Sequence, residues 1–181
     1  QPSTPRHPAM SFLELAARRY SVRKYSDRPV ESAKLDSILH AASLAPTGCN
    51  FQPQRILLVD DPSLLSRLRK CTACQFGAPA TFVVCYDSTR CWRNPATGEG
   101  IGVIDATIVA DHMQLEAVEQ GLGCCWVASF DRDLLKKELG IPEAYVPVVL
   151  IPVGYPAEDS HPSRMHSEHK SAEAFASRNH F

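Results

Sequence analysis

Apolar residues recur along this chain at two different spacings, which predict helices and strands in alternation. Spacings of three and four residues predict helices over about 11–19, 32–45, 61–70, 103–122 and 131–140. Short apolar runs predict strands over 56–59, 81–86, 124–127 and 146–154. No internal repeat is visible, and the alternation indicates one α/β or α+β domain.

Residues at the ends of the predicted helices support these assignments. Ser11 and Glu14 form a capping-box pattern. Asp61 precedes a proline in the first helical turn, which is a common N-terminal arrangement. Asp131 begins a helix that Gly140 ends.

Two predicted elements carry unusual residues. The helix over 103–122 is so apolar that we expect it to be buried on much of its circumference. Asp105, near the start of this helix, is expected to cap it or to pair with a neighbour. The strand over 146–154 contains Pro147 and Pro152, which places it at a sheet edge or makes it irregular.

Length, composition and charge exclude several classes of protein. The 181 residues, 44% of them hydrophobic, suit one domain with a full core, which we place at residues 10–181. Residues 1–9 differ in composition and are interpreted as a cloning remnant or a disordered arm, with Met10 as the native start. A formal net charge of -1 argues against a nucleic-acid or anionic-membrane partner. No apolar run spans a membrane and no signal peptide is recognisable, so a cytoplasmic location is expected.

The seven cysteines are expected to be reduced thiols. Cys71 and Cys74 form a C-x-x-C pair, but no second pair of cysteines or histidines stands at zinc-ligand spacing. We therefore predict no metal site. A thiol or metal protein that uses Cys71 and Cys74 remains a weaker alternative.

Two polar stretches carry the candidate chemistry. In "RRYSVRKYS", Arg19, Ser21 and Arg23 alternate, so an extended backbone projects all three side chains to one side. Two guanidinium groups with a hydroxyl between them suit a phosphate and a polar ring edge. The second stretch, "LAPTGCNFQPQR", offers Gly48 for close backbone approach and polar side chains at Thr47, Asn50 and Gln52. The alternative is that both stretches are solvated connections.

Four blocks together resemble the flavin-dependent nitroreductase family. They are "RRYSVRKYSDRPV", "LAPTGCNFQPQRILLV", "DATIVADHMQLEAVEQGLGCCWVASFD" and "VPVVLIPVGYPAED". The resemblance covers residues 11–175, and its most specific part is the run from Ala45 to Pro53. It implies an α+β nitroreductase-like fold with a mixed or antiparallel central sheet flanked by helices. It also implies an interlocked homodimer that binds FMN at the subunit interface.

The resemblance also implies roles for particular residues. Arg19 and Ser21, with Tyr20 between them, match positions that meet the FMN phosphate and ribityl chain. Arg23 matches a cation beside the pyrimidine edge of the flavin, and the segment of Ala128 and Ser129 matches the one whose backbone N–H faces flavin N5. Arg23 and Ser129 are therefore the implied catalytic residues. The implied contacts from the other subunit are Pro46, Thr47, Gly48 and Asn50, and Gln52 is a further candidate cofactor contact.

The C-terminal segment departs from the family pattern. The family carries a basic run that completes the phosphate site, whereas this chain has "HSEHKSAEAF". His169 stands where an arginine is expected, and Lys170 remains. Because a neutral histidine carries no charge, weaker or pH-sensitive phosphate binding is one consequence to test.

The implied function is an FMN-dependent oxidoreductase. NAD(P)H would deliver a hydride to flavin N5, and a small electron-poor acceptor such as a nitroaromatic or a quinone would then take it in a ping-pong scheme. The alternative is a flavin-binding or flavin-degrading protein of the same fold that lacks this reductase activity.

Overall fold

The computed structural model describes residues 10–180. The helices are α1 (Phe12–Arg18), α2 (Ser32–Leu44), α3 (Pro62–Arg69), α4 (Gly102–Glu119) and α5 (Arg132–Leu139). The strands are β1 (Gln54–Val59), β2 (Ala80–Asp87), β3 (Gly123–Cys124) and β4 (Tyr145–Gly154). Short 3-10 helices cover Gly48–Asn50, Arg164–Ser167 and Ala172–Ala174. The predicted N-terminal arm over 1–9 lies outside the described residues.

The sheet has the order β1-β2-β4-β3, and every ladder in it is antiparallel. Side chains alternate across it because successive residues of a strand face opposite sides. Phe82 and Val84 of β2 pack into a core with α2 and α4, whereas Val83 and Cys85 face α3 and α5. The protein is therefore an α+β fold with helices on both faces of the sheet, which confirms the predicted fold class.

The predicted helix caps are present. The Ser11 side chain accepts from the backbone N–H of Glu14, and the Glu14 carboxylate accepts from the N–H of Ser11 at 2.7 Å. Asp61 accepts from two backbone N–H groups at the start of α3, and Asp131 caps α5. Gly140 ends α5 with φ 66°, a left-handed conformation that glycine adopts without steric cost.

The 146–154 strand was predicted to lie at a sheet edge or to be irregular; the edge position is wrong and the irregularity is present. β4 lies between β2 and β3 and is irregular, with a register shift opposite Val84 and Cys85. The prolines are tolerated because β3 is only two residues long and pairs with Val153 and Gly154. Along most of the side of β4 that faces β3, no backbone N–H of β4 is therefore needed for strand pairing. The strands at the two ends of this order are β1, in which only Val59 is fully buried, and β3.

Two further segments differ from expectation. Of the run over 124–127, only Cys124 belongs to a strand, β3. Val127 then forms an isolated bridge with Leu150. α4 was expected to be buried on much of its circumference; it is buried along one side, and its first turn leaves Val103 51% and Ile104 56% exposed. Within residues 10–180, no helix combines the length and the apolar character that crossing a membrane requires.

Candidate functional site

The stretch that contains Arg19, Ser21 and Arg23 extends the sheet beyond β3. The backbone N–H of Val22 donates to the carbonyl of Cys124 at 2.9 Å, and Ser21 forms a parallel bridge with Cys124. The Val22 side chain is only 1% exposed, while Arg23 beside it is exposed. The predicted alternation is therefore present, with Val22 turned to the core.

Tyr25 holds this stretch to the sheet. Its buried hydroxyl lies 3.0 Å from the carbonyl oxygen of Val22 and 3.1 Å from that of Pro152. Burial raises the pKa of the Tyr25 phenol, which keeps the hydroxyl protonated and able to donate. The cationic stretch is thus fixed by backbone pairing and by one buried phenol.

A cavity of about 210 Å³ opens along this stretch. Its lining consists of Arg19, Tyr20, Ser21, Arg23, Ser163, Met165 and His166. The first four come from the cationic stretch and the last three from the segment after β4, around the 3-10 helix Arg164–Ser167. The fold therefore brings four predicted binding residues to one concave surface.

The cations of this cavity have no acidic partner among residues 10–180, since no ion pair there includes Arg19 or Arg23. Two nearby cations do have acidic partners: Lys24 pairs with Asp159, and Arg28 pairs with Glu31 at 2.9 Å. Two unneutralised guanidinium groups beside a hydroxyl are a donor set suited to a phosphate, and they fit FMN.

Two adjacent thiols lie behind the cationic stretch. Burial raises the pKa of the Cys124 thiol to about 12, although the Arg19 guanidinium lowers it. Burial likewise raises the pKa of the Cys125 thiol, against the lowering effect of Arg23. A buried thiol with a raised pKa is a poor nucleophile, so these cysteines act as core residues.

Ala128 and Ser129 follow the bridge at Val127 and are exposed. The carbonyl of Ser129 accepts from the Thr72 hydroxyl at 2.7 Å, and the N–H of Asp131 donates to the carbonyl of Cys71 at 2.9 Å. The loop with the C-x-x-C pattern therefore fixes the backbone of this segment. Neither Ala128 nor Ser129 donates its N–H to an acceptor in the described part of the chain.

The loop over 46–52 is anchored to the start of α4. The backbone N–H of Gly48 donates to Oδ1 of Asp105 at 2.9 Å, and Thr47 Oγ1 accepts from the N–H of Gln52 at 3.1 Å. A side chain at Gly48 would place Cβ 2.5 Å from Cδ1 of Ile101. Pro46, Thr47, Gly48, Asn50 and Gln52 lie outside the lining of the 210 Å³ cavity.

The C-terminal segment contributes a different histidine from the one that the sequence indicates. His169 and Lys170 are exposed and do not line the cavity, whereas His166 does. The Nε2 atom of His166 lies 3.1 Å from the carbonyl oxygen of Ala17, and its ring meets Tyr20 edge-on at 6.2 Å. No sequence signal separates His166 from its neighbours, because this polar segment has no periodicity.

Other features of the described chain do not add to this site. A larger cleft of about 460 Å³ borders Ser26, Arg69 and Ala78 and includes none of the predicted site residues. All seven cysteines are free. Within residues 10–180, no three His, Cys, Asp or Glu side chains are grouped so that they could hold a metal ion.

Comparisons with known proteins identify the family. The sequence model of the Nitroreductase family matches residues 16–77 and 68–155. This chain belongs to the nitroreductase family. A protein of Methanothermobacter thermautotrophicus named NADH dehydrogenase/NAD(P)H nitroreductase is 32% identical over 172 residues, which cover 88% of this chain and 87% of the relative.

Solved structures of similar proteins agree with this assignment. A nitroreductase family protein of Clostridium difficile 630 is 36% identical and has a TM-score of 0.89, with 95% of this chain and 100% of that chain covered. An FMN-dependent nitroreductase of Clostridium difficile R20291 is 29% identical and has a TM-score of 0.78, with 94% of this chain and 100% of that chain covered. The nitroreductase-like fold expected from the sequence is confirmed.

Proposed function

We propose that this protein is an FMN-dependent NAD(P)H oxidoreductase. The observation that carries the proposal is the pair of unneutralised guanidinium groups, Arg19 and Arg23, placed with Ser21 along one cavity. The family assignment supports it, as do relatives named NAD(P)H nitroreductase and FMN-dependent nitroreductase.

Each cation of the cavity has a distinct proposed task. Arg19 and Ser21 would bind the phosphate and ribityl end of FMN through charge-assisted hydrogen bonds. Arg23 would lie beside the pyrimidine edge. Because a fixed cation favours a negatively charged neighbour, Arg23 would stabilise the reduced form of the cofactor more than the oxidised form.

The backbone near Ser129 would complete the redox side of the site. When bound, FMN would supply the hydride-transfer chemistry between NAD(P)H and an electron-poor acceptor, in a ping-pong scheme. Ala128 and Ser129 are exposed residues whose N–H groups have no acceptor in the described part of the chain, and the hydrogen bond between Thr72 and the Ser129 carbonyl fixes their position. These N–H groups would hold the ring near N5. Nitroaromatics and quinones are the proposed acceptors.

A second copy of the chain is part of the proposal. The loop over 46–52 carries predicted FMN contacts but does not line the cavity of its own chain. Large apolar side chains are exposed close to this loop. Leu44 and Phe51 are near it or in it along the sequence, and Val103 and Ile104 lie on α4, to which the loop is hydrogen-bonded. Burial of these side chains against a second copy would stabilise a homodimer and bring each loop to the partner's cofactor.

Two measurements test the proposed function. Purified protein incubated with FMN and desalted should keep a flavin absorbance spectrum. Addition of NADH or NADPH under nitrogen should then bleach that spectrum, and a nitroaromatic or quinone should restore it. Flavin retention without bleaching would favour a flavin-binding protein that lacks reductase activity. Absence of flavin binding would contradict the proposal altogether.

A further inference from the structure

Asp105 is a buried carboxylate that the proposed mechanism does not use. It lies in the first turn of α4 and is 1% exposed. Its Oδ1 accepts from the backbone N–H of Gly48 at 2.9 Å. Its Oδ2 is buried and has no hydrogen-bond partner among the described residues.

Fold stability does not explain this aspartate. Burial of a carboxylate with one unpartnered oxygen is costly, whereas leucine has nearly the same shape and buries without that cost. The hydrogen bond to Gly48 is therefore the feature that a leucine at this position would lose.

The loop that Asp105 holds has an uncommon backbone. Cys49, Asn50 and Gln52 have φ values of 47°, 56° and 49°. These lie in the left-handed region, which residues with a Cβ seldom adopt, and such conformations persist where surrounding contacts determine them. Within the loop, the N–H of Asn50 donates to the Thr47 carbonyl at 3.0 Å.

The contacts of Gly48 connect this loop to α4. A Cβ at Gly48 would lie 2.5 Å from Ile101 Cδ1 and 3.2 Å from Trp92 Cβ, so the loop backbone passes close to the residue before α4. The hydrogen bond from Gly48 to Asp105 fixes the loop from the same side. The entry to the left-handed run is thus held by close packing of the Gly48 backbone and by one hydrogen bond to Asp105.

We propose that Asp105 is a positioning residue that holds the loop over 47–52 in the conformation that contacts FMN. Asp105 does not touch the cofactor. It acts through Gly48. Burial of its unpartnered oxygen lowers the stability of the fold, and this loss accompanies the positioning of the loop. This proposal rests on the proposed function for the identity of the ligand, but the loop's conformation is measurable without any flavin.

The test uses Cys49 as a reporter of the loop. Cys49 is exposed, Cys74 is half-buried and the other five cysteines are buried. In a Cys74→Ser background, a fluorescein maleimide therefore labels Cys49 selectively. Fluorescence anisotropy of the flavin-free protein then reports the mobility of the loop.

Three variants separate the hydrogen bond from the charge. Asp105→Leu removes the acceptor, Asp105→Asn keeps a carbonyl oxygen at that position, and Asp111→Asn changes an exposed aspartate on the same helix as a control. We expect Asp105→Leu to lower the anisotropy at Cys49, to weaken FMN binding about tenfold, and to leave the melting temperature unchanged or raised. Asp105→Asn and Asp111→Asn should match the parent protein.

Three outcomes would overturn the proposal. The first is an anisotropy in Asp105→Leu equal to that of the parent protein, and the second is a loss of anisotropy and FMN affinity in Asp105→Asn as large as in Asp105→Leu. The third is a lowered melting temperature in Asp105→Leu, which would show a merely structural role. If Asp105→Leu fails to fold, Asp105→Ser gives the same comparison, since its hydroxyl is too short to reach Gly48. If the parent protein binds no FMN, the proposed function fails, and the anisotropy comparison still decides the role of Asp105.

Discussion

The cationic stretch over 19–25 and the loop over 46–52 carry most of the predicted cofactor contacts, yet they are held in opposite ways. The stretch joins the sheet through backbone hydrogen bonds at Val22 and through the buried Tyr25 phenol. The loop has no strand to join: hydrogen bonds at Thr47 close it internally, and within the described chain the bond from Gly48 to Asp105 ties it to α4, where Gly48 leaves no room for a side chain.

This difference indicates how each region responds to change. Backbone pairing tolerates substitution of outward-facing side chains, so changes at Arg19 or Arg23 should alter ligand binding and leave the fold intact. A loop held by one hydrogen bond should instead move as a unit when that contact or its packing is altered. Variants in the stretch should therefore change single interactions, and variants in the loop should change several at once.

The largest effect is expected for Arg19→Ala. Loss of a charge-assisted hydrogen bond to the FMN phosphate should cost roughly 1.5–3 kcal/mol, which weakens binding tenfold or more. Titration of flavin-free protein with FMN, followed by fluorescence, measures the dissociation constant. Arg18→Ala, which removes an exposed neighbouring arginine outside the cavity lining, is the matched control. Parental affinity in Arg19→Ala would remove Arg19 from the site.

A smaller, redox-specific effect is expected for Arg23→Met. Methionine keeps the unbranched stem of the side chain as far as the position of Nε and removes the charge, so the reduced cofactor loses more stabilisation than the oxidised one. The midpoint potential should fall by about 30 mV for each ~1.4 kcal/mol lost in a two-electron couple, with FMN largely retained. An anaerobic redox titration against the parent protein at one pH decides the matter. An unchanged potential would place Arg23 away from the pyrimidine edge.

The loop is tested by Gly48→Ala. The new Cβ would lie 2.5 Å from Ile101 Cδ1, and overpacking of this kind costs about 1–3 kcal/mol when the surroundings cannot adjust. Since Cδ1 is the flexible end of a side chain, we expect the lower end of that range and a several-fold loss of FMN affinity. The double variant Gly48→Ala with Ile101→Val removes the clashing atom and should recover most of the affinity. Failure to recover would show that packing against Ile101 does not place the loop.

The smallest effect is expected for Tyr25→Phe. Removal of the hydroxyl leaves two carbonyl oxygens without this donor, so the free energy of unfolding should fall by about 1 kcal/mol. Thermal unfolding should show a decrease of about 2–4 °C. FMN affinity should change less than in Arg19→Ala, because backbone pairing at Val22 keeps the stretch in place. A larger loss of affinity than of stability would mean that the phenol, not the backbone, positions the cations.

Much of the local structure was predictable from the sequence. The caps at Ser11, Asp61 and Asp131 and the stop at Gly140 are where the residue types predict them. The alternation of Arg19, Ser21 and Arg23 around a buried Val22 was also predictable, since side chains of an extended backbone alternate wherever that backbone pairs.

The predictions that failed concern neighbours distant in the chain. The prolines of β4 indicated an edge or an irregular strand, and the edge alternative failed because β4 is internal and the gap that tolerates its prolines exists where its neighbour β3 is only two residues long. The exposure of Val103 and Ile104 likewise depends on what packs against α4, and not on the apolar composition of the helix.

The sequence by itself determined the helices, most of the strand positions and the family, and it predicted the candidate site residues, because these depend on residue type and on spacings of a few positions. Only the tertiary structure decided strand order, the presence of His166 in the cavity and the hydrogen bond between Asp105 and Gly48 across 57 positions of the chain. The physical reason is that long-range contacts depend on how the whole chain packs, and the spacing of residues within a short segment does not predict that packing.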